Sequence, residues 1–297
     1  MEAALRNADA CDAADRIFGG LPCVGVRCYD KPDKYRTYAI PERVAGTAKA
    51  QELAFCAASR FLAANSIPTV YEGEGVIGAA FGDDALCVPP EALNHGLILD
   101  VSAARRLTER GVDVGVAAFG APFAASEEIY AETGNRIAIP NAANAVALTL
   151  APGAAVLSWH EKKDGTKLPL SFEYQSAAGQ RFLVYAMEGY FDPQDWFRQY
   201  TRGPQIEAFA RRCGRRLPVY CPGHPELYVL AKSDGRRLAV GLWNNFPDPV
   251  YAPVLRLDRS YSSIETFRCR AELRGDAATL TDLPPYSFAF LLLEAVD

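Results

Sequence analysis

Gly96-Leu-Ile-Leu-Asp100-Val-Ser-Ala-Ala-Arg-Arg-Leu-Thr-Glu-Arg-Gly111 reads as a buried strand running straight into a short helix. Leu97 to Leu99 form an unbroken apolar run, as expected of a strand covered on both faces. Asp100 and Ser102 are N-cap residue types, Ala103, Ala104 and Leu107 make an inner face, and Gly111 is a left-handed stop. The sequence predicts an internal strand at Leu97 to Leu99 in a mainly parallel sheet, with a helix from Ser102 to Arg110 packed on it.

Working upstream, Pro89 to Leu93 reads as a turn of helix, and Gly75 to Phe81 and Ala85 to Val88 as short strands. Ile67 to Tyr71 begins a strand. Pro41 to Asn65 is the longest helical pattern, and its apolar residues and alanines cover more than one face, so it should be packed on two sides. Asp30 to Pro41 is a polar connection, Cys23 to Tyr29 a strand, and residues 1–18 a short helix. This alternation of strand and helix predicts a parallel, doubly wound sheet.

Downstream of Val112 the helical signals stop until Asp192. Arg136 to Ile139, Ala145 to Leu150, Ala154 to Trp159, Leu168 to Tyr174 and Arg181 to Met187 read as strands, with Asp164-Gly165 as a hairpin turn. Asp192-Pro193 opens a helix. Gly203-Pro204 breaks it and starts another, with Ile206, Phe209, Ala210 and Cys213 inside and Gly214 as the stop. After Leu217 the segments Leu227 to Ala231, Leu238 to Trp243, Val254 to Leu257, Ile264 to Arg268, Ala278 to Leu280 and Ser287 to Leu293 suit a small antiparallel sandwich.

The Gly96 segment resembles the "gly-hydrophobic-leu-leu-asp, ala-ala, leu, arg-gly" passage of the trimerising β-galactosidase group of glycoside hydrolases and their relatives. Three further stretches resemble that group in the same order: Gly179-Gln-Arg-Phe-Leu-Val-Tyr-Ala186, Leu217-Pro-Val-Tyr220, and Leu238-Ala-Val-Gly-Leu-Trp-Asn-Asn245 followed by Asp248-Pro249. Together they cover roughly the last two thirds of the chain. The resemblance implies a flavodoxin-like (amidotransferase-like) open sheet with extra β-strands over residues 1–215, followed by an antiparallel β-sandwich over residues 216–297. It also implies self-association as a trimer and a carbohydrate as ligand. In that group the two catalytic glutamates come from a barrel, for which this chain has no room. The resemblance therefore implies an accessory portion that is not catalytic alone.

Composition sets bounds. The chain has 297 residues, 49% of them hydrophobic, which is ample for two cores. Its formal net charge of −5 argues against nucleic acid as a partner. The arginines at 211, 212, 215 and 216 read as a solvated helix C-terminus. No run approaches the ~18 apolar residues of a membrane span, and the first twenty residues lack the apolar core of a signal peptide. Eight scattered cysteines without a Cys-x-x-Cys point to a reducing, cytoplasmic setting.

For chemistry, His95, His160 and His224 lie far apart with no ligand spacing, so no metal site is expected. There is no P-loop, GxGxxG or GxSxG, and no cofactor is expected. His224-Pro225-Glu226 is the tripeptide that class I glutamine amidotransferases use to activate a cysteine, and Cys23 with Gly25 half resembles their nucleophile turn. Leu21 stands where such turns carry their first glycine, so a cysteine hydrolase is the alternative reading rather than the first. Glycoside cleavage needs two carboxylates, about 5 Å or roughly 6.5–9.5 Å apart. Glu72, Glu74, Glu161 and Glu188 fall at strand ends next to aromatic residues. The sequence pairs no two of them, and solvated acids at strand ends are the simpler reading. Trp196, Phe197 and Trp243 read as core. No residue is singled out as catalytic.

Overall fold

The structure is a computed structural model and describes residues 2–30, 57–189, 195–224 and 227–296. Helix α1 (Glu2–Phe18) precedes β1 (Val26–Cys28), α2 (Ala57–Ala63), β2 (Thr69–Val70), β3 (Gly78–Ala80), β4 (Leu97–Leu99) and α3 (Val101–Glu109). Then come β5 (Val116–Tyr130), β6 (Arg136–Leu150), β7 (Ala155–Glu161), β8 (Lys167–Gln175) and β9 (Arg181–Tyr185). Helix α4 (Arg202–Arg212) leads to eight strands: β10 (Val219–Tyr220), β11 (Leu227–Ser233), β12 (Arg237–Asn244), β13 (Val254–Leu257), β14 (Tyr261–Phe267), β15 (Ala271–Arg274), β16 (Ala277–Leu280) and β17 (Ser287–Ala295).

Among the described residues the seventeen strands divide into three sheets. One mixed sheet has the order β2-β1-β3-β4-β9-β8-β7-β5-β6, and two antiparallel sheets have the orders β10-β13-β16-β15 and β11-β12-β17-β14. The strands β2, β1, β3, β4 and β9 run parallel, and β9, β8, β7, β5 and β6 pair antiparallel.

β4 lies inside the parallel part, as its apolar run predicts: Ile98 pairs with Ala79 on one side and Leu183 on the other. Its alternation decides which side of the sheet each residue serves. Leu97 and Leu99 pack with Ala103, Ala104 and Leu107 of α3. Ile98 faces the opposite core, with Phe61 of α2 and Ile206 and Phe209 of α4. Helices therefore cover both faces. Asp100 is the N-cap of α3, accepting from the Ala103 N–H, and Gly111 follows the helix at φ +81°.

The 112–180 stretch is inserted between α3 and β9, and it curls. Past its pairing with β5, β6 returns to the chain that follows β9: Ala145 bridges Met187, Val146 N–H donates to the Ala186 carbonyl, and Glu188 N–H donates to the Asn144 carbonyl. The antiparallel strands thereby close on themselves around Ala125, Ile139, Ala143 and Leu170, which belong to the same core as α2 and α4. In the C-terminal part, Val229, Val240, Leu255, Ala278 and Leu291 fill the space between the two antiparallel sheets. Helix α1 covers the outer face of one of them through Ile17, Phe18, Ala239 and Phe290.

Several local expectations are corrected. Ala85 to Val88 is not a strand: Gly82–Cys87 is a 3-10 helix, because Gly82 turns the chain at φ +58° and Arg110 fixes the Leu86 carbonyl at 3.2 Å. Val116–Tyr130 is a 15-residue strand where none was expected. Arg136 to Ile139 and Ala145 to Leu150 are parts of one strand, and β15 is an addition. Gly203 and Pro204 lie in the first turn of α4, where proline's missing N–H costs nothing. The helix start at Asp192-Pro193 and residues 41–56 of the long helical pattern lie outside the described residues. The Asp164-Gly165 hairpin is present between β7 and β8, with Gly165 at φ +82°.

Candidate functional site

The carboxyl ends of parallel strands are where open α/β sheets place ligands. Here that edge is occupied by Asp100, directly after β4 and fully buried. Its Oδ1 accepts from the N–H of Gly82 and of Ala103, both at 2.8 Å, and its Oδ2 accepts from the N–H of Gly189 at 2.9 Å. Burial lifts its pKa to about 6, outweighing the three N–H bonds that favour the carboxylate. Both oxygens are thus committed to backbone, and Asp100 joins the chain ends leaving β3, β4 and β9. Its neighbour Glu188 has its carbonyl held by Trp196 Nε1 at 3.1 Å. This edge is built as a latch.

A second locus lies where the inserted strands meet α4. Glu128 of β5 and Arg202 of α4 are both completely buried and form an ion pair, Nη2 to Oε2 at 2.5 Å and Nη1 to Oε1 at 2.9 Å. Ser158 Oγ donates to Glu128 Oε1 at 2.5 Å and lies 2.6 Å from Ser171 Oγ. Arg202 Nε donates to the Trp196 carbonyl at 3.1 Å, and the guanidinium stacks over Tyr185 at 4.9 Å. Burial opposes the guanidinium charge, but the Glu128 carboxylate more than offsets it, so the Arg202 pKa is raised. A buried pair of this kind persists only when its remaining donors and acceptors are met, as they are here.

Two polar groups carry this network outward. Gln205 Oε1 accepts from Arg202 Nη1 and from the Tyr185 hydroxyl, each at 3.2 Å. Next to the pair, the Tyr130 hydroxyl accepts from Thr201 Oγ1. Burial pushes the Tyr130 phenol up to about 12. Outside them opens a cleft of about 690 Å³ between the β5–β6 turn, β7 and the first turns of α4, lined by Tyr130, Leu157, Tyr200, Thr201, Gln205 and Arg212 among others. Its volume falls within the ~300–1,000 Å³ of small-molecule sites.

The residues singled out by sequence lie elsewhere. Cys23 is exposed and forms an isolated antiparallel bridge with Lys232 of β11, flanked by Val24 N–H to Ala231 O at 3.0 Å. It is therefore on an edge pairing, not on a strand-to-helix turn. The His224 carbonyl accepts from Ser66 Oγ at 2.6 Å, and burial lowers the His224 pKa. Glu226 lies outside the described residues. Glu72 and Glu74 are exposed in the loop after β2. Glu161 ends β7 paired with Arg136, which also holds Glu127. Glu188 lies in the chain leaving β9, next to the Asp100 latch. Trp196 and Phe197 are core, as expected. Among the described residues no cluster of three or more His, Cys, Asp or Glu could hold a metal ion, and no helix is long and apolar enough to cross a membrane.

Sequence reasoning missed the Glu128–Arg202 pair. A β-bulge between Ala125 and Glu127 breaks the alternation, so Glu128, Ile129 and Tyr130 are buried in succession. The available signal was Arg202 itself, a cation at the start of a helix where the dipole disfavours it.

No protein family matches the chain, and no curated protein is similar to it. Solved structures similar to it include Gan42B, a GH42 beta-galactosidase from G. stearothermophilus, with TM-score 0.48 and 10% identity over 84% of this chain and 37% of that one. Alpha-L-fucosidase isoenzyme 2 from Paenibacillus thiaminolyticus gives TM-score 0.47 and 10% identity, over 85% of this chain and 46% of that one. Beta-galactosidase from Bacillus circulans sp. alkalophilus gives 0.44 and 10%, over 83% and 37%. The chain spans less than half the length of each.

Proposed function

We propose that the chain is an accessory, self-associating portion of a glycoside-hydrolase-like protein and is not catalytic alone. In this reading residues 1–215 are a flavodoxin-like, amidotransferase-like layer and residues 216–297 a β-sandwich. The observation that carries it is the strand order β2-β1-β3-β4-β9 of the parallel part, the flavodoxin-type succession, with the chain then leaving through Leu217 to Tyr220 into antiparallel sheets. The motifs that resemble the trimerising β-galactosidase group fall in that same succession.

The acids support the non-catalytic part. Glu127 and Glu161 are held by Arg136, Glu128 by Arg202 and Glu173 by Arg212. A glycosidase acid or nucleophile must instead be free to reach an anomeric carbon or a leaving oxygen. Cys11, Cys23, Cys213, Cys221 and Cys269 are free thiols, which supports a reducing, cytoplasmic setting.

Light scattering at micromolar concentration tests the association. A homo-oligomer is expected, a trimer by resemblance, and a clean monomer near 32.3 kDa overturns it. Hydrolysis of nitrophenyl glycosides by the isolated chain would overturn the non-catalytic part.

A further inference from the structure

We propose that the cleft beside the Glu128–Arg202 pair is a binding site for a neutral sugar ligand of one or two rings. The direction of every hydrogen bond in the network leads to this. The Tyr130 oxygen accepts from Thr201 Oγ1. That fixes the Thr201 hydroxyl proton inward and leaves its oxygen as an acceptor at the cleft wall.

On the other side of the pair, Arg202 Nη1 and the Tyr185 hydroxyl both donate to Gln205 Oε1. The carboxamide is therefore oriented with its oxygen inward. Its NH₂, a donor only, is left for the cleft that Gln205 lines. Arg202 and Tyr185 thus preset one donor, and Tyr130 one acceptor, in the cleft before any ligand arrives. A ligand group able to meet both is a hydroxyl, which donates and accepts at once.

The rest of the wall sets the ligand's body. Val156, Leu157, Pro204 and Ala208 are apolar, and Tyr200, 56% exposed, stands 6.5 Å from the Tyr130 ring at a 47° tilt. An apolar wall with a tilted tyrosine suits the flat C–H face of a pyranose. The charged groups at the rim oppose one another: Glu132 is acidic, and Arg212 is basic but already paired with Glu173. Glu132 is left as an uncompensated acid at the rim, so the site disfavours an anionic ligand. The inference stands on this cleft and is independent of self-association.

Saturation-transfer NMR with cellobiose, lactose and maltose at millimolar concentration tests it on the full chain. At least one is expected to bind saturably. Gln205→Glu keeps an acceptor for Arg202 and Tyr185 but removes the outward donor, and should weaken binding roughly tenfold. Tyr200→Ala, at a half-exposed position, should weaken it comparably with the thermal midpoint unchanged. Tyr251→Ala, exposed on the sandwich, should change nothing. No saturable binding of any of the three, or binding that survives both Gln205→Glu and Tyr200→Ala, overturns the proposal. So does adenosine competing for the cleft in their place. None of these outcomes alters the mass seen by light scattering, so the two readings fail separately.

Discussion

Asp100 Oδ2 accepts the backbone N–H of Gly189 at 2.9 Å, joining the end of β4 to the end of β9 across 89 residues of sequence. Asparagine in place of Asp100 can keep one oxygen for Gly82 and Ala103 but turns an NH₂ toward the Gly189 N–H. Asp100→Asn should cost about 1–3 kcal/mol. The sign of its pH dependence follows from burial. The folded pKa, about 6, lies above the unfolded value of 3.8, so the native state holds the proton more tightly between them. This contribution is fully present below about pH 4 and is lost as pH rises through 6, by roughly 3 kcal/mol. Urea unfolding of both proteins at intervals from pH 4 to 7 should show the gap between wild type and variant narrowing. A constant gap would contradict the assignment.

Removing one member of the buried pair leaves the other charged and dry. Arg202→Met should destabilise by about 3–5 kcal/mol, and Glu128→Gln with Arg202→Met together should recover part of that loss. Chemical denaturation of the singles and the double measures the recovery. Equal or greater loss in the double variant would show that the packing around Ser158 and Tyr185, rather than the charge, is what matters.

Two glycines separate backbone strain from crowding. Gly111 has φ +81° with nothing within 4 Å of an added Cβ, so Gly111→Ala should cost only the left-handed conformation, about 1 kcal/mol. Gly96 has φ +89°, and a Cβ there would lie 2.4 Å from Cys213 Sγ. Gly96→Ala should cost about 1–3 kcal/mol more, part of it restored by Cys213→Ala. Thermal melts of the three variants decide this.

The thiols should sort by burial. Cys11 and Cys23 are exposed, whereas burial pushes the thiols of Cys213 and Cys269 up to about 11 and that of Cys221 up to about 12. Iodoacetamide at pH 8 should label Cys11 and Cys23 first, and His224→Ala should leave the Cys23 rate unchanged. Fast labelling of Cys23 that His224→Ala abolishes would establish the cysteine-hydrolase alternative.

What the sequence makes legible follows from how each element is stabilised. β4 and α3 are readable because local signals agree: an apolar run buried on both faces, then a side-chain cap. The Asp164-Gly165 turn is readable because it needs a positive φ at its glycine. β5 is not, because Ala117, Ala118, Gly120 and Ala121 are exposed and its register shifts three times against β6. The Glu128–Arg202 network joins residues 74 apart, and the odd placement of Arg202 at a helix start does not name its partner. The cleft inherits that opacity, since its polar orientation is set by a partner that no spacing rule connects.

The seat of α1 has a consequence for synthesis. Phe18 meets Phe290 edge-on at 5.2 Å, and Arg16 reaches Glu265 across 249 residues. The first helix thus leaves the ribosome long before the strand that receives its apolar side. Until β17 emerges, Ile17 and Phe18 have no permanent partner, and the nascent chain carries a sticky helix that a holding chaperone could recognise. A ribosome stalled before residue 290 should therefore display an N-terminal helix accessible to protease, and full release should protect it.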